Sequence, residues 1–125
     1  MHKDKEYNKS NLMHKARDLF ISYRKRNNLT QTQLEFLFWA YNYEFFTIKK
    51  ASEDMKLNRI HVEKRVIYPL RRKGYIFNYF NKLTPSNTED DHMFREETKF
   101  NYRVRYSITQ KARGMVDRFN KQLLE

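Results

Sequence analysis

Apolar residues recur at steps of three and four positions near the start of the chain, which is the spacing of one helix face. The pattern predicts a first helix over 10–26, with Ser10 as its N-cap and the asparagine pair at 27–28 ending it. The residues before it, 1–9, are polar and are expected to be flexible. The apolar stripe consists of Leu12, Ala16, Leu19, Phe20 and Tyr23.

Two further helices are predicted between residues 30 and 55. Thr30 and Gln33 have the spacing of a capping box, and the helix that they open, to about residue 43, is apolar nearly all round. Such a helix is buried, so it should be the central core helix. Thr47 then caps a short helix to about residue 55, with Ile48 and Ala51 turned inward.

The fourth predicted helix spans 58–73 and is strongly basic. Asn58 is a suitable N-cap and Gly74 a suitable C-cap. If Val62, Val66 and Leu70 face the core, the helix period turns another set of side chains outward. This outer set is His61, Lys64 and Tyr68, with Ile60 and Arg71 beside them and Arg65 and Arg72 at its flanks.

A proline stands near the end of this basic helix. Pro69 lacks the amide that would donate to the carbonyl four residues earlier, and its ring crowds that carbonyl. We therefore expect a kink there, or a break with a restart at Pro69.

Alternating residues predict two antiparallel strands, 75–80 and 102–108, joined by a long connection over 81–101. Thr109 then caps a last helix over 109–124, with an apolar stripe that includes Met115, Phe119 and Leu123. The predicted fold is a single mainly α (α+β) domain with about five helices and a two-stranded β-wing. The order of short helix, tight turn, basic helix, glycine stop and strand is that of a winged helix-turn-helix.

The charge of the chain narrows the class of partner. The net charge is +11, yet segment 83–97 contains five acids and one base, so that segment carries −4 and the rest +15. A concentrated positive charge favours a polyanion such as a nucleic acid. The acidic segment could be a solvated loop tip, an intramolecular partner for the basic surface or a docking site for another protein.

Several other classes are disfavoured by composition. With no cysteine there is no disulfide framework or thiolate site. The four histidines have no metal-ligand spacing, and the two glycines cannot form a phosphate-binding loop, so we expect no enzyme, metal or cofactor. No signal peptide or membrane span is evident, which predicts a soluble cytoplasmic protein without a membrane partner. Richness in Lys, Asn, Tyr and Phe suggests an AT-rich genome, with a virus as one source, in which case the location is the host cytoplasm.

Three motifs together resemble the MarR family of winged-helix transcriptional regulators. LTQTQLEFLFWA (29–40) resembles the start of that family's second helix. LNRIHVEKRVIYPLRRKGYI (57–76) resembles its recognition helix, and RYSITQKARGMV (105–116) its second wing strand and last helix. The resemblance implies a homodimer joined through its first and last helices, with helix 58–73 of each subunit in a DNA major groove. The chain departs from the family at Lys56, where a glycine is usual, at Pro69, and in the acidic wing.

From these patterns we predict a dimeric regulator that binds double-stranded DNA. His61 and Lys64 are the first candidates for base contacts, followed by Asn58, Arg59 and Tyr68. The candidates for phosphate contacts are Arg65, Arg71, Arg72, Lys49 and Lys50, with Arg103 and Arg105 on the wing. The predicted dimer interface comprises Leu12, Ala16, Leu19, Phe20, Tyr23, Met115, Phe119 and Leu123.

Alternatives remain open at this level. The same fold could serve as a protein-protein interaction module, or bind RNA or single strands through stacked aromatic rings. The aromatic run at 39–46 is expected in the core, although it could line a pocket for a small-molecule effector. The operator sequence and the sign of regulation do not follow from the sequence.

Overall fold

The computed structural model describes the main chain of residues 9–82, 98–99 and 102–125. Side chains are described within 11–79 and 104–125. Most of the expected flexible N-terminus, and the acidic part of the long connection, lie outside the described residues.

The described chain is mainly helical with one antiparallel sheet, as predicted, and is compatible with an α+β winged-helix layout. The helices are α1 (Lys9–Asn27), α2 (Gln31–Ala40), α3 (Ile48–Met55), α4, which joins the segments Arg59–His61, Val62–Ile67 and Tyr68–Arg72, and α5 (Gln110–Leu124). The strands are β1 (Ile76–Lys82), β2 (Thr98–Lys99) and β3 (Tyr102–Ile108). Among these helices, none combines the length and apolarity that a membrane crossing needs.

The helix starts are fixed by side-chain caps. Thr30 and Gln33 form the predicted capping box, with their main-chain amides donating to each other's side chains at 3.0 and 3.1 Å. Thr47, Asn58 and Thr109 each accept an amide hydrogen bond at the start of α3, α4 and α5. These three predictions are confirmed.

Two predicted helix ends were wrong. Ser10 is not an N-cap, because Lys9 before it is already helical and neither Pro nor Gly interrupts the chain there. The second helix ends at Ala40 rather than near Tyr43. There, the Arg113 guanidinium from α5 donates to the carbonyls of Tyr41 and Tyr43 at 3.3 and 3.2 Å. These two hydrogen bonds stabilise the turn in which the chain leaves α2.

The turn between α3 and α4 contains a strained residue. Lys56 has φ 58° and ψ 43°, a left-handed conformation that glycine adopts at less cost. The turn is held by Ser52, whose carbonyl accepts from the amide of Leu57 at 3.1 Å and whose hydroxyl donates to the Leu57 carbonyl at 2.8 Å. Gly74, which follows α4, also has a positive φ of 84° and ends the helix as predicted.

β3 lies at the centre of the sheet. It pairs with β1 from Ile76 opposite Ile108 to Lys82 opposite Tyr102, which confirms the predicted strand pair. The two-residue β2 pairs with the other edge of β3, an addition to the predicted two strands. A single bridge between Phe46 and Tyr106 joins the segment before α3 to the same strand.

The core forms around α2, as its all-round apolar pattern predicted. Leu34, Phe36 and Leu37 are fully buried. Against them pack the three predicted core residues of α4, Val62, Val66 and Leu70, all fully buried as well. This burial fixes the rotation of α4 and therefore determines which of its side chains remain in solvent.

Candidate nucleic-acid interface

The face of α4 opposite its buried stripe is cationic and open. Lys64, Arg65 and Arg72 are exposed. Within the described part of the chain, their side chains form no ion pair or hydrogen bond. Because the described residues of the chain do not neutralise these cations, their charge is available to a partner.

The first turn of α4 is capped at its start by Asn58. The Asn58 side-chain carbonyl accepts from the main-chain amide of His61 at 2.7 Å. Asn58 is exposed, and this cap leaves its side-chain amide group available to donate. Arg59 is half-buried and interacts with other residues of the chain.

A groove of about 280 Å³ separates the start of α2 from α4. On one wall lie His61, Lys64 and Arg65, and on the other Thr30 and Thr32. Hydroxyl and cationic donors around an open groove suit a phosphate oxygen. Thr30 and Thr32 were absent from the predicted site because the groove is formed by elements some thirty residues apart, for which a local pattern carries no signal.

Tyr68 does not belong to the open face, contrary to the prediction. It is half-buried against the core, and its hydroxyl donates to the Glu63 carboxylate at 3.0 Å. This hydrogen bond, followed by burial, raises the pKa of Tyr68. The Arg71 guanidinium lies 5.3 Å from the ring centre and donates to Asn78 at 3.1 Å. Tyr68 follows directly on a stretch of α4 that does not have ordinary α-helical hydrogen bonding.

That stretch is the segment Val62–Ile67, which is π-helical. Its geometry is visible at Tyr68, whose amide donates to the carbonyl of Glu63, five residues earlier. Pro69 explains the distortion, since its ring would crowd the Arg65 carbonyl in a regular helix. The expected kink or break is thus realised as a widened turn.

The two lysines of α3 border a second concavity. Lys49 is half-buried and Lys50 exposed, and both line a pocket of about 410 Å³ with Tyr43, Phe45 and Phe46. Lys50 also forms an ion pair with Asp54 at 3.4 Å. Both lysines therefore lie at the surface, but Lys50 is partly neutralised.

Asp54 connects α3 to the end of α2. Its carboxylate accepts from the indole N–H of Trp39 at 3.0 Å, and Tyr43 approaches the same oxygen at 3.5 Å. The hydrogen bond from Trp39, assisted by Lys50, lowers the pKa of Asp54. The aromatic run at 39–46 thus packs partly into the core through Phe46 and partly borders the pocket.

The strand arginines have different environments. Arg105 is opposite Tyr79 and half-buried, with its guanidinium 5.8 Å from the ring centre of Phe45. Arg103 is opposite Asn81, and its side chain lies outside the described residues. On the outer face of β1, Phe77 and Tyr79 are 43% and 42% exposed.

The residues predicted for a dimer interface divide into two groups. Tyr23, Met115 and Phe119 are buried in the core of the chain itself, and the rings of Tyr23 on α1 and Phe119 on α5 meet edge to face at 5.3 Å. Such residues have almost no surface left to lose to a second copy of the chain, so for them the prediction was wrong. The apolar stripes of α1 and α5 pack against each other within one chain. Leu12 is exposed, and Ala16, Leu19, Phe20 and Leu123 are half-buried.

Within the described ranges, no group of three His, Cys, Asp or Glu residues is arranged to hold a metal ion. Comparison of the chain with protein-family models, with curated proteins and with solved structures gave no significant match.

Proposed function

We propose that this protein is a winged-helix DNA-binding protein that acts as a transcriptional regulator. The observation that carries the proposal is the exposed cationic side of α4, with Lys64, Arg65 and Arg72 in solvent and the opposite side fully buried. α4 follows α3 through a tight turn and leads into β1, the order of a helix-turn-helix and its wing. The resemblance of three motifs to MarR regulators points to the same function.

In the proposed complex, α4 enters the major groove of a duplex. Lys64 and His61 face base edges, where ammonium and imidazole donors can meet guanine or adenine acceptors. Arg65 and Arg72 lie against phosphates. The hydroxyls of Thr30 and Thr32, on the α2 side of the protein groove between α2 and α4, also lie against phosphates. Tyr68 takes no direct part in this arrangement, because its hydroxyl is bonded to Glu63.

A second subunit would place two copies of α4 on one face of the duplex. The exposed apolar residues of α1 and α5, Leu12 with 37% and Leu124 with 81% exposure, support an interface at that end of the molecule. They line a groove with Lys15, which donates to the terminal carbonyl of Glu125. A dimer would bind half-sites about one helical turn apart. Light scattering at several protein concentrations measures the assembly directly.

The decisive experiment is selection of bound duplexes from a random pool, followed by titration of the selected and scrambled sequences at several salt concentrations. We expect a two-fold-symmetric consensus. On the order of six to ten phosphate contacts would give a slope of roughly −5 to −9 in log K against log salt. Affinity for the selected duplex no higher than for heparin would contradict the proposal and favour a protein-interaction module.

A single-stranded nucleic acid is the second candidate, supported by the exposed rings of Phe77 and Tyr79 on β1. Aromatic rings beside cations can stack nucleobases. This function predicts tighter binding to single strands than to duplexes, and a loss of single-strand affinity in Phe77→Ala. The duplex function predicts the opposite preference and near-normal duplex affinity in that variant.

A further inference from the structure

The first turn of α4 carries an exposed apolar side chain that the subunit does not use for packing. Ile60 is 65% exposed and is absent from the core cluster and from the apolar residues packed on it. The other large apolar side chains recorded as exposed in the described part of the chain lie on α1, β1 and α5. On α4, Ile60 alone has this character among the described residues.

The surroundings of Ile60 indicate what chemistry covers it. It stands between the cap residue Asn58 and, one turn further on, the exposed cation Lys64. An apolar partner surface would have to desolvate these polar and charged neighbours to reach it. A DNA major groove can contact both the apolar Ile60 and its polar neighbours. It presents hydrogen-bond acceptors, nearby phosphates and one apolar group, the C5-methyl of thymine.

We propose that Ile60 contacts a thymine C5-methyl group and makes the protein select a T·A pair at one position of each half-site. This inference rests on the proposed function and adds to it a residue that determines specificity. The N-terminal residues of a recognition helix are those that reach base edges. Ile60 is the second residue of α4, and the hydrogen bond that the His61 amide donates to the Asn58 side chain caps the turn that carries it.

The side chain itself suits this task. An isoleucine in a helix has one strongly preferred χ1 rotamer, so little rotamer freedom is lost when it meets the methyl group. Because Ile60 is exposed, its truncation should leave the fold intact, and binding can be compared directly between variants.

The test replaces the thymines of the selected duplex by uracil, one position of the half-site at a time. Each replacement removes only the methyl group and keeps the O4 acceptor. For the natural protein, we expect one replacement per half-site to weaken binding about fourfold, the ratio that corresponds to burying one methylene-sized group. In Ile60→Ala, the thymine and uracil duplexes should bind equally well at that position. Lys64→Ala is the matched control, which should bind more weakly but keep the fourfold ratio.

Three results would overturn the proposal. In the first, the difference in affinity between the thymine and uracil duplexes persists in Ile60→Ala. In the second, the natural protein prefers the selected duplex over a scrambled one, but no uracil replacement changes its affinity. In both cases duplex recognition itself would stand. The third is failure to bind any duplex, which would overturn the proposed function as well. If the first of these results is accompanied by a loss of oligomeric state in Ile60→Ala, measured by light scattering, Ile60 belongs to a protein interface instead.

Discussion

The side-chain amide of Gln33 donates to the main-chain carbonyl of Arg65 at 3.0 Å. In a regular helix that carbonyl would receive the amide of residue 69, but residue 69 is a proline and has none. Gln33 is buried, and its side-chain oxygen also accepts from the Thr30 amide at 3.0 Å. One glutamine thus completes the start of α2 and replaces a hydrogen-bond donor missing from α4.

The first prediction isolates the contact between Gln33 and Arg65. In Gln33→Glu, a carboxylate can still accept from Thr30, so the capping box is preserved. It cannot donate, and it brings a negative charge close to the Arg65 carbonyl. We expect the free energy of unfolding to fall by about 1–3 kcal/mol, measured by urea denaturation.

Two further variants serve as controls for this effect. Thr30→Ala removes the cap alone and should cost about 1 kcal/mol. In the Pro69→Ala background, an amide at position 69 becomes available to the Arg65 carbonyl, so the cost of Gln33→Glu should shrink by about 1 kcal/mol. An unchanged cost in that background would show that Pro69 is not the reason for the contact.

The sequence predicted the caps because each is a local relation. Thr47, Asn58 and Thr109 each bond to an amide three residues later, and the residue type together with its place before an apolar run indicates this. The buried stripe Val62, Val66 and Leu70 was predicted for the same reason. The rotation of the first half of α4, and with it the exposure of Lys64, followed from that stripe.

The predictions that were wrong depend on contacts between residues that are far apart in the sequence. The partner of the Arg65 carbonyl is 32 positions away, so the way in which α4 accommodates Pro69 could not be derived from the helix alone. The mutual burial of Tyr23 and Phe119 likewise depends on how α1 meets α5. An apolar stripe indicates that a helix packs against something, but its partner can be the same subunit or another.

The second prediction concerns the left-handed Lys56 in the turn between α3 and α4. Replacing Lys56 by glycine removes the Cβ that makes φ 58° costly. It also raises the conformational entropy of the unfolded chain, which offsets part of the gain. We expect Lys56→Gly to have a free energy of unfolding about 0.5–1 kcal/mol higher than that of the natural protein, measured by thermal and urea denaturation. Lys56→Ala keeps the Cβ and should show no gain; a gain of equal size in both variants would attribute the effect to the lost charge.

The third prediction is a pH dependence from Asp54. The hydrogen bond from Trp39 holds the pKa of Asp54 below its ordinary value of 3.8. A carboxyl with a lowered folded-state pKa stabilises the fold above its unfolded pKa, and this contribution disappears as the pH falls through the folded value. The urea midpoint of the natural protein should therefore drop more than that of Asp54→Asn as the pH falls from about 5 to about 2.

Trp39 gives a second readout of the same group, because it is the single tryptophan of the chain. In the folded natural protein, its fluorescence should change as Asp54 is protonated, at a pH below the ordinary carboxyl range. This change should be absent in Asp54→Asn, whose side-chain oxygen still accepts the indole hydrogen bond. An identical titration in both proteins would assign the change to another carboxyl group.

The fourth prediction separates base contact from phosphate contact on α4. Lys64 and Arg72 are both exposed cations without a described partner, but Lys64 lies near the first turn and Arg72 ends the helix. A cation that meets base edges distinguishes sequences, whereas one that meets phosphates binds all duplexes similarly. Lys64→Ala should therefore weaken binding to the selected duplex by about 1–3 kcal/mol more than binding to a scrambled one.

Arg72→Ala should weaken both duplexes about equally and lower the magnitude of the salt slope by about 1. Arg71 is a useful third position, because its guanidinium is engaged by Asn78 and Tyr68, so Arg71→Ala should weaken both duplexes alike but less than Arg72→Ala does. Fluorescence anisotropy titrations of the two duplexes at three salt concentrations measure all of these quantities. Equal losses on both duplexes in Lys64→Ala would remove Lys64 as a base contact and leave α4 as an electrostatic surface only.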